Sequence, residues 1–302
     1  MDNKAAILST LTYFDLFQYP LTEREVYFFL PRHTPPASFE HALGELLAEG
    51  LVFACEGFYA LRNDPALAHR RKAGNALAAR MLRTAGRIAA LLSHFPYVRG
   101  VGVSGSLSKQ YADERSDIDL FIITSTGRLW IARTLLHLLK KCTFLIRRED
   151  WFCMNYFVDE AALEIPEKNL YTAIEIVTLL PMCGSDAFVE FRKANAWTDR
   201  YLPNSHGRVV FSRENKPSIG RRLLEKMLDN RLGDRLDHWL MTVTARRWDK
   251  KTEEGRRNNR GIVLSMDATR HSARPDPKGF QRSLLETYER RCEGVLRTYV
   301  AT

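Results

Sequence analysis

Two aspartates one residue apart at the mouth of an apolar run constrain this chain more than any other feature: Val101 to Ile123 reads VGVSGSLSKQYADERSDIDLFII. Side chains two apart on a strand project to the same face. Asp117 and Asp119 are therefore expected to point together while Ile118, Leu120, Phe121, Ile122 and Ile123 bury the element. Adjacent carboxylates repel, and stay ionised together only where cations neutralise them. Mg²⁺ or Mn²⁺ meets that demand, because hard divalent cations take oxygen ligands and bind through one or two carboxylates together with substrate phosphates. The phosphate half of such a site lies upstream. Val101 to Ser104 reads as a short strand and Gly105-Ser106 as the turn after it, glycine letting the backbone approach a ligand closely. A short helix from Ser106 to about Tyr111 turns N–H groups toward an anion. Ser106 and Ser108 hydroxyls and the Lys109 ammonium are candidate triphosphate partners, and Ser116, next to the acidic pair, joins the nucleotide-binding candidates.

This order of strand, Gly-Ser turn, short helix, loop and Asp-x-Asp strand resembles the nucleotidyltransferase superfamily of the DNA polymerase beta type. The resemblance rests on Gly105, Ser106, Asp117 and Asp119 and covers a core of roughly residues 96–168. It implies an α+β fold whose small mixed sheet has helices on one side. It also implies transfer of a nucleoside monophosphate from an NTP such as ATP to an acceptor hydroxyl, with release of pyrophosphate. Asp117 and Asp119 would be the catalytic, metal-holding pair, with two ions stabilising the attacking and leaving oxygens; Gly105 and Ser106 would grip the β- and γ-phosphates.

The family pattern expects a third carboxylate on a neighbouring strand. After a helix read over Arg128 to Leu145, that strand is Trp151 to Val158, which contains no acid. Asn155 occupies its middle, Asp150 precedes it, Asp159 and Glu160 follow, and Glu164 comes later. Asparagine is a poor general base, so with Asn155 in the third position proton removal falls to another group. Asp159 serves if the strand runs farther. An inactive nucleotide-binding scaffold is the first alternative.

Around this core the chain divides into residues 1–62, 63–95 and 169–302. In the first unit, Ala5 to Phe17 has helical apolar spacing, Thr22 and Glu25 form a capping-box pattern, Ser38 to Glu49 is a third helix closed by Gly50, and Leu51 to Leu61 reads as a hairpin. Three helices and a hairpin resemble a winged helix-turn-helix module, which makes a DNA-binding regulator the second alternative. The third helix argues against it: it carries Glu40, Glu45 and Glu49 and no Lys or Arg, whereas DNA contact relies on basic side chains. Pro65 to His94 reads as one amphipathic connecting helix, bent near Gly74 or Gly86.

Residues 169–302 are expected to be helical over 169–180, 186–201, 223–248 and 280–299, with 258–278 a loop. Residues 201–302 carry the whole net charge of +9, densest from Arg246 to Arg260. A solvated helix surface or a nucleic-acid contact both fit such a patch. Five widely spaced cysteines with no Cys-x-x-Cys pair indicate neither a disulfide framework nor a zinc site, and the eight histidines show no ligand spacing. No apolar run reaches membrane length, and the N-terminus lacks the pattern of a secretory signal, so the expected compartment is the cytoplasm.

Overall fold

Alternate residues of the acidic run enter different cores, which explains why the run is continuous rather than alternating in hydrophobicity. Ile118, Leu120 and Ile122 join one cluster, Phe121 and Ile123 another. That is the signature of a strand covered on both faces. The computed structural model describes residues 2–144, 153–205, 219–255, 266–275 and 278–301.

The N-terminal unit comprises α1 (Asn3–Asp15), β1 (Leu21–Thr22), α2 (Glu23–Phe28), α3 (Pro36–Ala48), β2 (Phe53–Cys55) and β3 (Phe58–Ala60). Thr22 and Glu25 form the expected capping box at the start of α2. The three short strands pair antiparallel in the order β1-β3-β2. The core of this unit is shared: Ile7, Phe14, Leu30 and Leu46 pack in one cluster with Ala173, Ile174, Val177 and Leu202 from far along the chain. α4 (Pro65–Leu92) follows as a single helix. Gly74 sits where the Tyr111 ring crosses α4, so close that a β-carbon there would lie 2.3 Å from the ring.

The larger sheet is built from β4 (Val98–Val103), β5 (Asp119–Thr124), β6 (Cys153–Asp159), β7 (Leu180–Cys183), β8 (Met266–Ala268) and β9 (Ser272–Pro275), in the order β7-β4-β5-β6-β9-β8. Only β5 and β6 are parallel; the remaining pairs are antiparallel, so the sheet is mixed and the fold is α+β. α5 (Gly105–Ser108) lies between β4 and β5, and α6 (Leu129–Phe144) makes the crossover to β6. α7 (Leu170–Thr178) and α8 (Ser185–Ala194) flank β7, with a 3₁₀ turn at Ala196–Arg200; α9 (Ile219–Leu228), α10 (Arg231–Glu253) and α11 (Lys278–Ala301) complete the chain.

Several expectations are corrected. Helices cover both faces of the sheet rather than one: Ile88, Leu92, Trp130 and Trp248 from α4, α6 and α10 pack on one side, Ile176, Phe188 and Phe191 from α7 and α8 on the other. The single helix expected over 223–248 is two, because the Asn230 side chain caps a fresh start by accepting from the N–H groups of Leu232 and Gly233. The expected loop over 258–278 contains the β8–β9 hairpin, which lengthens the sheet; residues 256–265 and 276–277 lie outside the described set. β7 was hidden by Pro181, which reads as a helix stop but is tolerated on an edge strand. Among the described residues no helix is long and apolar enough to cross a membrane.

Candidate active site

The acidic pair sits where β4 hands over to β5. β5 begins at Asp119, so Asp117 lies in the approach to the strand rather than inside it. The Ser104 N–H donates to the Asp119 carbonyl at 2.9 Å, which holds the end of β4 against the start of β5. Gly105 then turns the chain with φ +70°, a left-handed conformation that only glycine adopts without cost. A β-carbon there would lie 2.7 Å from Asp119 Oδ2, so the turn is folded against the carboxylate.

β6 completes the cluster. Its first residue, Cys153, pairs with Asp119 in the parallel register, and the donor atoms of Asp117, Asp119 and Cys153 lie within 4.8 Å of one another. The place next to Asp119 on the neighbouring strand is thus held by a thiol. Burial pushes the Cys153 thiol up to about 11; the negative charge of Asp119 adds to this and Lys140 opposes it. Asp159 is ruled out as the third carboxylate: six residues along β6, it lies about 20 Å from the acidic pair at the strand rise per residue. It is wholly buried there, accepting from the Gly127 and Ala161 N–H groups and pairing with His271 Nδ1 at 2.9 Å. Glu164 pairs with Lys168 on the surface. Asp150 and the Asn155 side chain lie outside the described residues, although the backbone places Asn155 at a register slip between Met154 and Tyr156.

The other expected residues gather around the turn. Ser106, Lys109 and Ser116 line one lobe of a cleft with Asp117 and Asp119, a cavity of about 360 Å³. Lys109 Nζ is held by Glu175 Oε1 at 2.7 Å and by the Gly105 carbonyl at 3.1 Å, so its charge is already balanced. Ser116 closes its own turn, donating to Asp113 Oδ1 and accepting from the Asp113 N–H. Ser108 is withdrawn as a phosphate donor: it is fully buried and donates to the Gly105 carbonyl at 2.8 Å. The outer wall of this lobe comes from the N-terminal unit, through Phe14, Phe17 and Tyr19, and from Phe280. Tyr19 is fixed by the Arg71 guanidinium stacked 3.8 Å from its ring centre, and its hydroxyl donates to the Lys109 carbonyl.

A second lobe of about 240 Å³ opens on the other side of Asp119, lined by Phe121, Tyr156, Ile176 and Phe191, with Glu167 and Arg274 at its polar end. Gly105, Asp119, Tyr171 and Glu175 line both lobes. Burial, reinforced by Glu175 and Asp119, drives the Tyr171 hydroxyl far up in pKa and keeps it a neutral donor. Glu175, Tyr171, Arg274 and Cys153 escaped the sequence reading. The first two belong to the helix predicted over 169–180, and their spacing puts them on one face.

Of the basic stretch, residues 246–251 line neither lobe, and 256–260 lie outside the described residues. Arg246 to Lys251 belong to α10, where Trp248 turns inward beneath the Arg133 guanidinium, 4.6 Å from its ring centre. Comparison with protein-family models, with curated proteins and with solved structures finds no match. The geometry stands alone.

Proposed function

We propose that this chain is a metal-dependent nucleotidyltransferase with a core of the DNA polymerase beta type, moving a nucleoside monophosphate from an NTP to a hydroxyl acceptor. The observation that carries the reading is the fit between the Gly105 turn and Asp119, 2.7 Å from where a β-carbon would stand, in a lobe that also holds Asp117, Ser106 and Lys109. Two carboxylates facing a glycine turn suit a divalent cation and a phosphate chain together. Asp117 and Asp119 would hold the metal, Mg²⁺ or Mn²⁺; when bound it would neutralise charge on the departing pyrophosphate. Cys153 departs from an all-oxygen set and biases the cluster toward softer ions than Mg²⁺.

In the reaction the acceptor oxygen attacks the α-phosphorus, the bond from that phosphorus to the bridging oxygen of the β-phosphate breaks, and pyrophosphate leaves. The hydroxyl proton passes to a carboxylate, and Glu175, which lines both lobes, is positioned to take it. The N-terminal unit, which resembles a winged helix, serves here as a wall of the nucleotide lobe rather than as a DNA reader, since α3 lacks Lys and Arg.

A second reading, an inactive nucleotide-binding scaffold, is favoured by Cys153 beside Asp119 and by the Lys109–Glu175 pair. Incubation with each α-³²P-labelled NTP, Mg²⁺ or Mn²⁺ and a cell extract separates the two. An enzyme leaves label on an acceptor, and Asp119→Asn abolishes it by at least a hundredfold; nucleotide binding without any labelled product establishes the scaffold instead.

A further inference from the structure

The two lobes that meet at Asp119 are chemically unlike. The outer one holds the glycine turn, Ser106, Lys109, Ser116 and Asp117, everything suited to a phosphate chain. The inner one has none of these except Gly105. Its walls are Phe121, Tyr156, Ile165, Ile176, Leu179 and Phe191, and the Phe121 and Tyr156 rings stack with their centres 5.1 Å apart. Its volume of about 240 Å³ equals that of about eight liquid waters, room for one ring-sized molecule and too little for a nucleic-acid end or a protein loop.

Asp119 is a carboxylate this lobe shares with the outer one; the lobe's other charges are internally matched. Arg274, brought in on β9, is buried and holds both Glu167 oxygens, and one of its amino groups donates to Tyr156 Oη at 2.9 Å. Asp267 approaches the same guanidinium at 3.4 Å from the more exposed side of the hairpin. Glu175 is matched by Lys109. An anionic ligand would meet no unmatched cation, would face Asp119 and would lose its hydration, an expensive exchange. One polar group does await a partner: Thr172 is 6% exposed, lines the lobe, and its Oγ1 is buried with no hydrogen bond. Buried hydroxyls are almost always bonded, so an unmatched one on a cavity wall marks where a ligand atom belongs.

We infer that the inner lobe is the acceptor site, and that the acceptor is a ring-shaped alcohol without an anionic group, whose apolar body lies on Phe121 and Tyr156 while one polar atom bonds Thr172. A hydroxyl of that ring reaches toward Asp119, where the two lobes join. The inference rests on the transferase reading for the word acceptor, but the pocket can be tested without it.

Ligand-observed saturation-transfer NMR on the full chain, without metal or nucleotide, uses two rings of one size: cyclohexanol and cyclohexanecarboxylate. Cyclohexanol is expected to receive saturation and the carboxylate to receive none. Thr172→Val, which keeps the shape and removes the hydroxyl, is expected to weaken cyclohexanol about five- to tenfold, the worth of one hydrogen bond. Ile176→Trp fills the lobe and is expected to abolish the signal; circular dichroism checks its folding, and if it fails to fold, Thr172→Val carries the test. Adenosine is expected not to displace cyclohexanol. The inference is overturned if cyclohexanol does not bind, if the carboxylate binds as well, if Thr172→Val binds equally, or if adenosine displaces the ring and so claims the lobe for the base. Bound cyclohexanol with no label transferred from any NTP would remove the transferase reading and leave the pocket standing. Label found on another acceptor with no ring bound would do the reverse.

Discussion

Replacing Gly105 by alanine separates a backbone cost from a site cost. The residue sits at φ +70°, where a β-carbon costs about 1–2 kcal/mol. The same β-carbon would stand 2.7 Å from Asp119 Oδ2, a contact that cannot persist. Oδ2 is the far end of a side chain, so a rotation of the carboxylate relieves the clash with little further loss of stability, and the damage passes to the cluster of Asp117, Asp119 and Cys153. Gly50 supplies the control: its φ is +68° and a β-carbon there meets nothing within 4 Å. Gly50→Ala and Gly105→Ala should therefore lose similar stability in urea unfolding, about 1–2 kcal/mol each. Mn²⁺ affinity, read by electron paramagnetic resonance, should fall about 10–100-fold in Gly105→Ala, as when a ligand's support is removed, and stay unchanged in Gly50→Ala. Equal Mn²⁺ affinity in the two variants would refute the argument that the turn and the carboxylate form one site.

Cys153→Asp supplies the hard donor that the cluster lacks; calorimetry should show Mg²⁺ binding about tenfold more tightly, while the metal-free protein melts lower because three carboxylates then repel, and unchanged Mg²⁺ affinity would count against Cys153 facing the pair. His137 stays neutral when folded, its pKa lowered to about 3 chiefly by burial and further by Arg133. A depressed histidine costs stability as pH falls below its unfolded value of about 6.5, because only the unfolded chain takes up the proton. His137→Phe should thus gain up to about 2 kcal/mol more at pH 5 than at pH 7.5 in urea unfolding, and a pH-independent difference would discard the burial argument.

The local signals that are legible in the sequence are those set by near neighbours: the continuous apolar run after Asp119, the Thr22–Glu25 capping box, the left-handed glycines at 50 and 105, and the long α4. What was not legible depends on partners far along the chain. Pro181 reads as a stop until β4 is known to lie beside it, and β9 is short enough to look like loop until β6 supplies its hydrogen bonds. Cys153 is not legible because a thiol at a strand start carries no periodic mark and the nucleotidyltransferase pattern places a carboxylate on that strand. Lys109 reads as a free cation until α7 brings Glu175 to it across 66 residues.

Arg274 reaches back over more than a hundred residues to hold Glu167, just ahead of α7. The wall of the cleft is therefore finished by a segment far along the chain, on the outermost hairpin of the sheet. Cutting out the stretch from 96 to 168 would preserve both aspartates yet strip β7 from one flank and β9 from the other. What reads along the chain as a self-contained catalytic cassette is, in three dimensions, an assembly that its distant ends must close.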